Sequence, residues 1–309
     1  MYHKIIIPLF SAFILSCSNP QKEEIFELSS PNKIHTLKFE LRESIPLYSV
    51  RTKGEMILEP SKLGFVFQGN DSLYKNFTII KIDTTSFDET WEQVWGEKRF
   101  IRNNYRQLSA VLQERKGDKR KVEIQFRAYD DGIALRYLYP EQGQKDSLVI
   151  TDELTEFNIK DDGEAWWIGA YQDNRYEYLT ERSKISSLDT VVTPLTLKTN
   201  KGLYLSFHEA NLKEYASMTL ARTSGTHLKC DLVPWADGVK VKTAGSFTTP
   251  WRTLQIAEKP GDLITSYLIL NLNDPNTFTD TSWIKPHKYL GIWWGMHIGK
   301  YTSSLHTVV

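Results

Sequence analysis

Hydrophobic and polar residues alternate with a period of two through most of the chain from about residue 25 to residue 272. The clearest run is 122–128, where Val, Ile, Phe and Ala alternate with Glu, Gln and Arg, and similar runs occur at 37–42, 108–112 and 203–207. Successive side chains of a strand point to opposite faces of a sheet, so the alternation predicts strands with one buried face. No stretch of a dozen residues shows a clear amphipathic helical pattern.

A tight turn is predicted between two of these strands. Asp130-Asp131-Gly132 interrupts the alternation and Ile133 begins a second alternating run, so residues 121–140 are predicted to form a β-hairpin. Many strands with turn signals between them, over about 250 residues, predict an all-β fold, a large antiparallel β-sandwich, rather than an α/β fold.

The pattern changes near the C-terminus. Residues 289–294 form the continuous apolar run Tyr-Leu-Gly-Ile-Trp-Trp, which is typical of a strand buried on both faces in a parallel sheet or a (β/α) barrel. A parallel strand needs partners joined by crossover connections, and the sequence ends at Val309. We therefore expect a second domain to begin near Trp283, shortly before the sequence ends.

The N-terminus has the pattern of an export signal. A short basic segment precedes the apolar run Ile5–Ile14, which is too short to span a bilayer. The Leu-Ser-Cys-Ser that follows resembles a bacterial lipoprotein cleavage box with Cys17 as the lipidated residue; the alternative is an ordinary signal peptide with an incidental cysteine. We predict a signal peptide at 1–17, a tether at 18–27, and attachment to a membrane through the N-terminal lipid, in the periplasm or at the outer membrane.

Composition narrows the classes of partner. The chain has 38 Lys+Arg and 38 Asp+Glu, and the absence of a basic stripe argues against a nucleic-acid partner. Besides Cys17 the sequence contains only Cys230. If Cys17 carries lipid, no intramolecular disulfide can form, and we expect Cys230 to be a small core residue.

The stretch 165–178 combines aromatic rings with a Gln-Asp-Asn-Arg run and Glu177. Flat apolar rings beside carboxylate and amide groups suit a sugar, whose C–H faces stack on aromatic rings while its hydroxyls form hydrogen bonds. The alternative interpretation is a core strand that continues into a tyrosine-rich loop.

No catalytic motif is complete in itself. A glycosidase needs two carboxyl groups beside the scissile bond, and the sequence does not show which of its many carboxylates meet. His208 and Glu209 are adjacent, but if their strand continues through both, their side chains point to opposite faces and cannot act together. The sequence contains no His-x-x-x-His, Cys-x-x-Cys or EF-hand motif.

Short motifs between Leu28 and Tyr301 occur in the order found in a known family. They are Leu28–Pro31, Pro60–Gly64, Asp88–Glu97, Phe126–Gly132, His208–Ala210, Thr249–Thr253, Asn271–Pro275 and Gly291–Met296. Together they resemble the N-terminal half of glycoside hydrolase family 97, the bacterial α-glucosidases and α-galactosidases of the starch-utilisation type.

The resemblance implies a three-part enzyme: an N-terminal β-supersandwich similar to galactose mutarotase, a central (β/α)8 barrel with the catalytic carboxylates, and a small C-terminal β domain. It implies that residues 28–281 are the supersandwich and that residues 282–309 are a linker and the first strand of a truncated catalytic barrel. It also implies that Glu177 is a calcium ligand lent to the barrel and that Trp293 lines the sugar site. The family continues well beyond the point where this sequence ends, so we expect a truncated, inactive fragment. We expect its partner to be an α-linked oligosaccharide. The alternatives are a free-standing sugar-binding lipoprotein and, less favoured, a mutarotase-like sugar epimerase.

Overall fold

The computed structural model describes residues 24–69, 71–143, 146–172 and 178–289. Strands dominate, and the helices are short: one 3-10 turn, Ile185–Ser187, and two five-residue helices, α1 (Pro260–Ile264) and α2 (Leu268–Leu272). The strands are β1 (Glu24–Ser29), β2 (His35–Arg42), β3 (Ile45–Thr52), β4 (Glu55–Lys62), β5 (Phe65–Phe67), β6 (Asp71–Leu73), β7 (Phe77–Glu92), β8 (Phe100–Glu114), β9 (Lys121–Tyr129), β10 (Gly132–Tyr139), β11 (Ser147–Glu153), β12 (Glu156–Asn158), β13 (Gly163–Trp167), β14 (Glu181–Lys184), β15 (Thr190–Val192), β16 (Leu195–Thr199), β17 (Tyr204–Ala210), β18 (Met218–Ser224), β19 (His227–Leu232), β20 (Val241–Ala244), β21 (Phe247–Thr248) and β22 (Trp251–Ala257).

In the described part of the chain these strands form four sheets. The large sheet has ten strands, in the order β14-β13-β16-β17-β22-β10-β9-β8-β7, with β21 paired to β10. The three smaller sheets have the orders β1-β2-β3-β4, β20-β11-β5-β6 and β12-β19-β18-β15. Neighbouring strands run antiparallel, for example β17 with β22 and β22 with β10. The prediction of an antiparallel all-β fold is confirmed.

The predicted hairpin at 121–140 is also confirmed. Strands β9 and β10 pair from Tyr129↔Gly132 to Glu123↔Leu138, and Asp130-Asp131 forms the turn between them. A Cβ atom at Gly132 would lie 2.3 Å from the carbonyl oxygen of Leu254 on β22. Glycine is therefore required where the hairpin turn approaches the neighbouring strand.

The hydrophobic core lies between the large sheet and the three smaller sheets. Aromatic contacts link each small sheet to the large one. Examples are Phe39 and Phe126, with ring centroids 5.4 Å apart, Phe65 and Tyr137 at 4.6 Å, and Phe157 and Phe207 at 5.2 Å. Such pairs add to the free energy gained from apolar burial. Cys230 is buried in the same core, as its sequence context predicts.

The chain divides into two compact units. Within the described residues, the first comprises 24–87 and 104–273, and the second comprises 88–103 and 274–289. The first unit contains the sandwich core. In the second, Arg102 forms a bidentate ion pair with Asp88 (2.7 and 2.8 Å).

The remaining sequence predictions about chain organisation concern the termini. The predicted signal peptide and most of the tether lie outside the described residues, and so does the predicted barrel strand apart from Tyr289. Among the described residues, no helix has the length and apolar character needed to cross a membrane.

Candidate functional site

The aromatic stretch 165–178 begins in strand β13, which lies next to the edge strand β14 of the large sheet. Ala165 is fully buried, and the indole nitrogen of Trp167 donates to the hydroxyl of Ser183 at 3.0 Å. Trp166 points to the opposite face, where the guanidinium of Arg182 lies 5.5 Å from the ring centroid. The described part of this stretch is therefore a strand followed by a loop, as the alternative interpretation holds. Residues 173–177 lie outside the described residues.

Tyr171, in the loop after β13, has its hydroxyl engaged by the protein. The hydroxyl donates to Oδ2 of Asp231 at 2.8 Å and lies 3.2 Å from the hydroxyl of Thr219. Its backbone has a φ of +58°, which is unusual for a residue with a side chain. These contacts fix the loop to the hairpin β18–β19, so the hydroxyl of Tyr171 has a structural role.

His208 and Glu209 follow each other on β17 and lie on opposite faces of the large sheet. His208 is half-buried, with Nδ1 3.3 Å from the hydroxyl of Thr193, and its strand partner is Thr253. Burial lowers the pKa of His208, and the charge of Glu209 opposes this shift. The two side chains therefore cannot act together on one substrate, as expected from their adjacent positions on one strand.

Glu209 belongs instead to a fully buried ionic cluster that sequence reasoning missed. Arg252 donates to both carboxylate oxygens of Glu153, at 2.9 and 2.6 Å, and to Glu209 at 2.7 Å. The remaining oxygen of Glu209 accepts the backbone N–H of Met218 at 3.0 Å. We call Arg252, Glu153 and Glu209 the buried triad.

Two neutral hydroxyl groups also donate hydrogen bonds to Glu153. The hydroxyls of Thr155 and Tyr215 donate to its carboxylate at 2.9 and 3.1 Å. Burial alone would raise the pKa of Glu153, but the charge of Arg252 and these hydrogen bonds hold it below its ordinary value. Glu153 therefore stays ionised at neutral pH beside Arg252, and the triad joins β11, β17 and β22 inside the sandwich. It is a structural device rather than a reaction centre.

A row of cations and aromatic rings lies on the other face of the large sheet. The guanidinium of Arg127 lies 4.2 Å from the ring centroid of Tyr105 and 4.6 Å from that of Trp251, and Arg136 lies 4.3 Å from the Trp251 ring. Cation–π contacts of this kind are stabilising. Trp251 is only 1% exposed, so its ring is not available to stack on a sugar.

None of the site residues implied by the resemblance falls within the described structure. Glu177, Trp293 and Cys17 all lie outside the described residues. Among the residues that are described, no group of three or more His, Cys, Asp or Glu is arranged to hold a metal ion.

Comparison with known sequences agrees with this fold. The family model described as Glycosyl-hydrolase 97 N-terminal matches residues 28–275. The chain is 23% identical to a retaining α-galactosidase of Bacteroides thetaiotaomicron, over 91% of this chain and 46% of that protein. It is 26% identical to a probable retaining α-galactosidase of Streptomyces bingchenggensis, over 78% of this chain and 36% of that protein.

Comparison with solved structures indicates the same family. A Glycoside Hydrolase Family 97 enzyme from Pseudoalteromonas sp. strain K8, in complex with panose, has a TM-score of 0.85 and 38% sequence identity, over 90% of this chain and 42% of that one. Its complex with acarbose has a TM-score of 0.84 over 89% of this chain and 42% of that one, also at 38% identity. The chain spans less than half the length of all these relatives. The resemblance found in the sequence is confirmed, and the chain belongs to glycoside hydrolase family 97, whose N-terminal domain it contains.

Proposed function

We propose that this chain is the N-terminal, carbohydrate-associated part of a hydrolase that cleaves terminal α-linked glucose or galactose. The observation that carries the proposal is the match of residues 28–275 to the family's N-terminal domain. The 38% identity to an enzyme in complex with panose supports it. The α-galactosidase names of the curated relatives support galactose as the other candidate sugar.

The most deeply buried carboxylates of the described residues are engaged in ion pairs. Hydrolysis of a glycoside uses two carboxyl groups on either side of the bond. The buried carboxylates Glu153 and Glu209 are both bound to Arg252, and Glu40 is paired with Lys38 and Arg42. We propose that the acid and its partner lie outside residues 24–289, in the barrel that the family resemblance implies.

An activity assay tests this assignment. The 309-residue chain is incubated with nitrophenyl α-glucoside and nitrophenyl α-galactoside in the presence of calcium, with the Bacteroides α-galactosidase as the positive control. We expect no turnover above the blank for this chain. Turnover that scales with the amount of purified protein would show that it contains a complete catalytic site. Sequencing the gene beyond codon 309 gives an independent test, because the proposal expects a barrel to be encoded there.

Calcium binding at Glu177 is a further part of the proposal. Calcium takes six to eight oxygen ligands, so a single carboxylate from this domain needs partners from elsewhere. Thermal melts with calcium and with chelator test this for the wild type and Glu177→Gln. We expect both proteins to melt at the same temperature under both conditions. A calcium-dependent rise of several degrees that is absent in Glu177→Gln would mean that this chain already holds a complete site.

We also propose that the protein is anchored through lipid on Cys17, in the periplasm or at the outer membrane. The support is the arrangement of a basic segment, an apolar segment and a cysteine at the N-terminus. Fractionation of cells that produce the wild type or Cys17→Ser tests this proposal: the wild type should be found with membranes and the variant should not. Equal distribution of the two proteins would favour the ordinary signal peptide.

A further inference from the structure

A groove on the surface of the first unit has the composition of a sugar-binding site. It consists of two adjoining cavities of about 690 and 620 Å³, which share Glu214, Tyr215 and Lys242. Trp235 lines the first cavity and Phe247 the second. We call this feature, defined by these five residues, the aromatic groove. Each cavity is within the usual size of small-molecule sites, which is about 300–1,000 Å³.

Trp235 presents a large apolar ring to solvent from a loop that is held in place. Its side chain is 63% exposed. Its backbone N–H donates to Val239 at 2.7 Å, and its carbonyl accepts the N–H of Gly238 at 2.9 Å. The ammonium of Lys242 lies 5.7 Å from the centroid of the Trp235 ring. An exposed ring with a fixed backbone loses little conformational entropy when a ligand stacks on it.

Tyr215 supplies a second fixed ring, and its hydroxyl is already used. The hydroxyl donates to Glu153 of the buried triad at 3.1 Å, and the guanidinium of Arg252 lies 5.6 Å from the ring centroid. Tyr215 is partly exposed where it lines both cavities. The triad thus orients this ring, and the groove offers a ligand the ring rather than the hydroxyl.

The charges around the groove favour a neutral ligand. Lys242 is paired with Asp237 at 2.5 Å, and Lys240, which lines the same cavity, is paired with Asp231 at 3.0 Å. Carboxylates pair with both of these lysines, and the remaining charges of the lining are Lys213 and Glu214, of opposite sign. The groove therefore lacks the excess positive charge that would draw in an anion. Aromatic rings with polar groups between them match the alternation of C–H faces and hydroxyls on a sugar.

We propose that the aromatic groove binds a neutral oligosaccharide, with Trp235 and Tyr215 as the stacking residues. The five residues that define the groove are different from the site residues that the family resemblance implies, which are Glu177 and Trp293. The choice of α-linked glucose units as the ligand class rests on the proposed function, whereas the groove itself rests on its own residues.

Titration calorimetry on the full chain tests the proposal. The ligands are panose and maltotriose, with cellotriose as the β-linked counterpart. Trp235→Ala removes the exposed ring, and Trp95→Ala is the matched control because Trp95 is also 63% exposed but is not part of the groove. We expect the wild type and Trp95→Ala to bind panose or maltotriose equally, and Trp235→Ala to bind about tenfold more weakly, because a lost stacking contact of this kind is worth up to about 1.5 kcal/mol. Melting temperatures of all three proteins establish that each one is folded.

Two results would overturn the proposal. One is the absence of binding by the wild type to any of the three sugars at millimolar concentration, and the other is equal affinity of the wild type and Trp235→Ala. If the wild type binds only cellotriose and Trp235→Ala loses that binding, the groove is confirmed as a sugar site. The same result would contradict the α-linked substrate class of the proposed function, so the two proposals fail separately.

Discussion

Arg252 is the residue on which the buried polar contacts of the sandwich converge. It donates to Glu153 and Glu209, which lie 99 and 43 positions away in the sequence. The two carboxylates carry more charge than one guanidinium cancels, and neutral donors such as the Tyr215 hydroxyl supply the remaining hydrogen bonds. A buried ion pair that loses one partner leaves an uncompensated charge in the core, which is strongly destabilising.

Replacing Arg252 with Met should therefore destabilise the sandwich severely. We expect the free energy of unfolding at pH 7 to fall by about 3–5 kcal/mol, the usual cost of breaking a buried pair. Urea unfolding followed by circular dichroism measures the change. Arg102→Met is the control, because Arg102 forms an equally short ion pair with Asp88 on the exposed surface. That variant should unfold at nearly the same urea concentration as the wild type.

The same substitution should change how stability depends on pH. In the wild type the pKa of Glu153 is lowered, so its contribution to stability is present above its ordinary pKa and is lost as the pH falls through the lowered value. Without Arg252, burial would raise the pKa of Glu153. Protonation of Glu153 at lower pH would then remove the uncompensated charge and make the Arg252→Met variant more stable. The stability difference between wild type and Arg252→Met should shrink from pH 7 towards pH 4.5. A constant difference over this range would mean that Glu153 is not the group left uncompensated.

At the scale of the elements, the period-two pattern predicted strands β2, β8, β9, β10 and β17 correctly. The pattern works because one face of each strand packs into the core, so its side chains alternate between core and solvent. The same alternation contains a signal for the buried triad. Arg252 is in phase with Leu254 and Ile256, and Glu209 is in phase with Phe207, so both charges occupy core-facing positions.

Two features could not be predicted from the strand pattern. The pairing of β11 with β5 shifts between Ile150 and Asp152, and this irregularity brings Glu153 into the core although it is out of phase with Ile150. The aromatic groove is formed by loops and strands that are distant in sequence, and nothing local to Trp235 shows that Tyr215 lies beside it. Register shifts and long-range contacts depend on the tertiary fold.

Gly163, at the start of β13, lies where two strands of the large sheet approach each other closely. It pairs with Thr199 on β16, and a Cβ atom there would lie 2.1 Å from the carbonyl oxygen of Lys198. Gly163→Ala should lower the free energy of unfolding by about 1–3 kcal/mol, because backbone must move to make room. Gly261→Ala is the control, since an added Cβ there meets no heavy atom within 4 Å. Chemical unfolding should show a lower free energy of unfolding for Gly163→Ala and no decrease for Gly261→Ala.

At the scale of the whole molecule, β22 holds the large sheet together. In the hydrogen-bonded order it lies between β17 and β10, so the strands on either side are joined through it. Its seven residues are almost all buried, and they include Arg252. Buried hydrophobic residues form two core clusters, the large one between the sheets and a smaller one around Trp251 on the other face of the large sheet, and all residues of these clusters lie between Leu28 and Leu272.

Two shortened chains test this organisation. A chain of residues 24–273 keeps β22 and both core clusters, and its melting temperature should lie within about 4 °C of that of residues 24–309, which corresponds to a change of at most about 1 kcal/mol. A chain of residues 24–250 loses β22 and should show no cooperative thermal unfolding. If the shorter chain melts cooperatively, the two parts of the large sheet fold without their central strand. If the longer one fails to fold, residues after 273 contribute to the core.

The central position of β22 also sets when the protein can fold during translation. Residues 251–257 are the last strand of the described chain to be synthesised, yet they lie in the middle of the large sheet. The nascent chain must therefore expose the inner edges of β17 and β10 until this strand leaves the ribosome, and unpaired strand edges promote association with other chains.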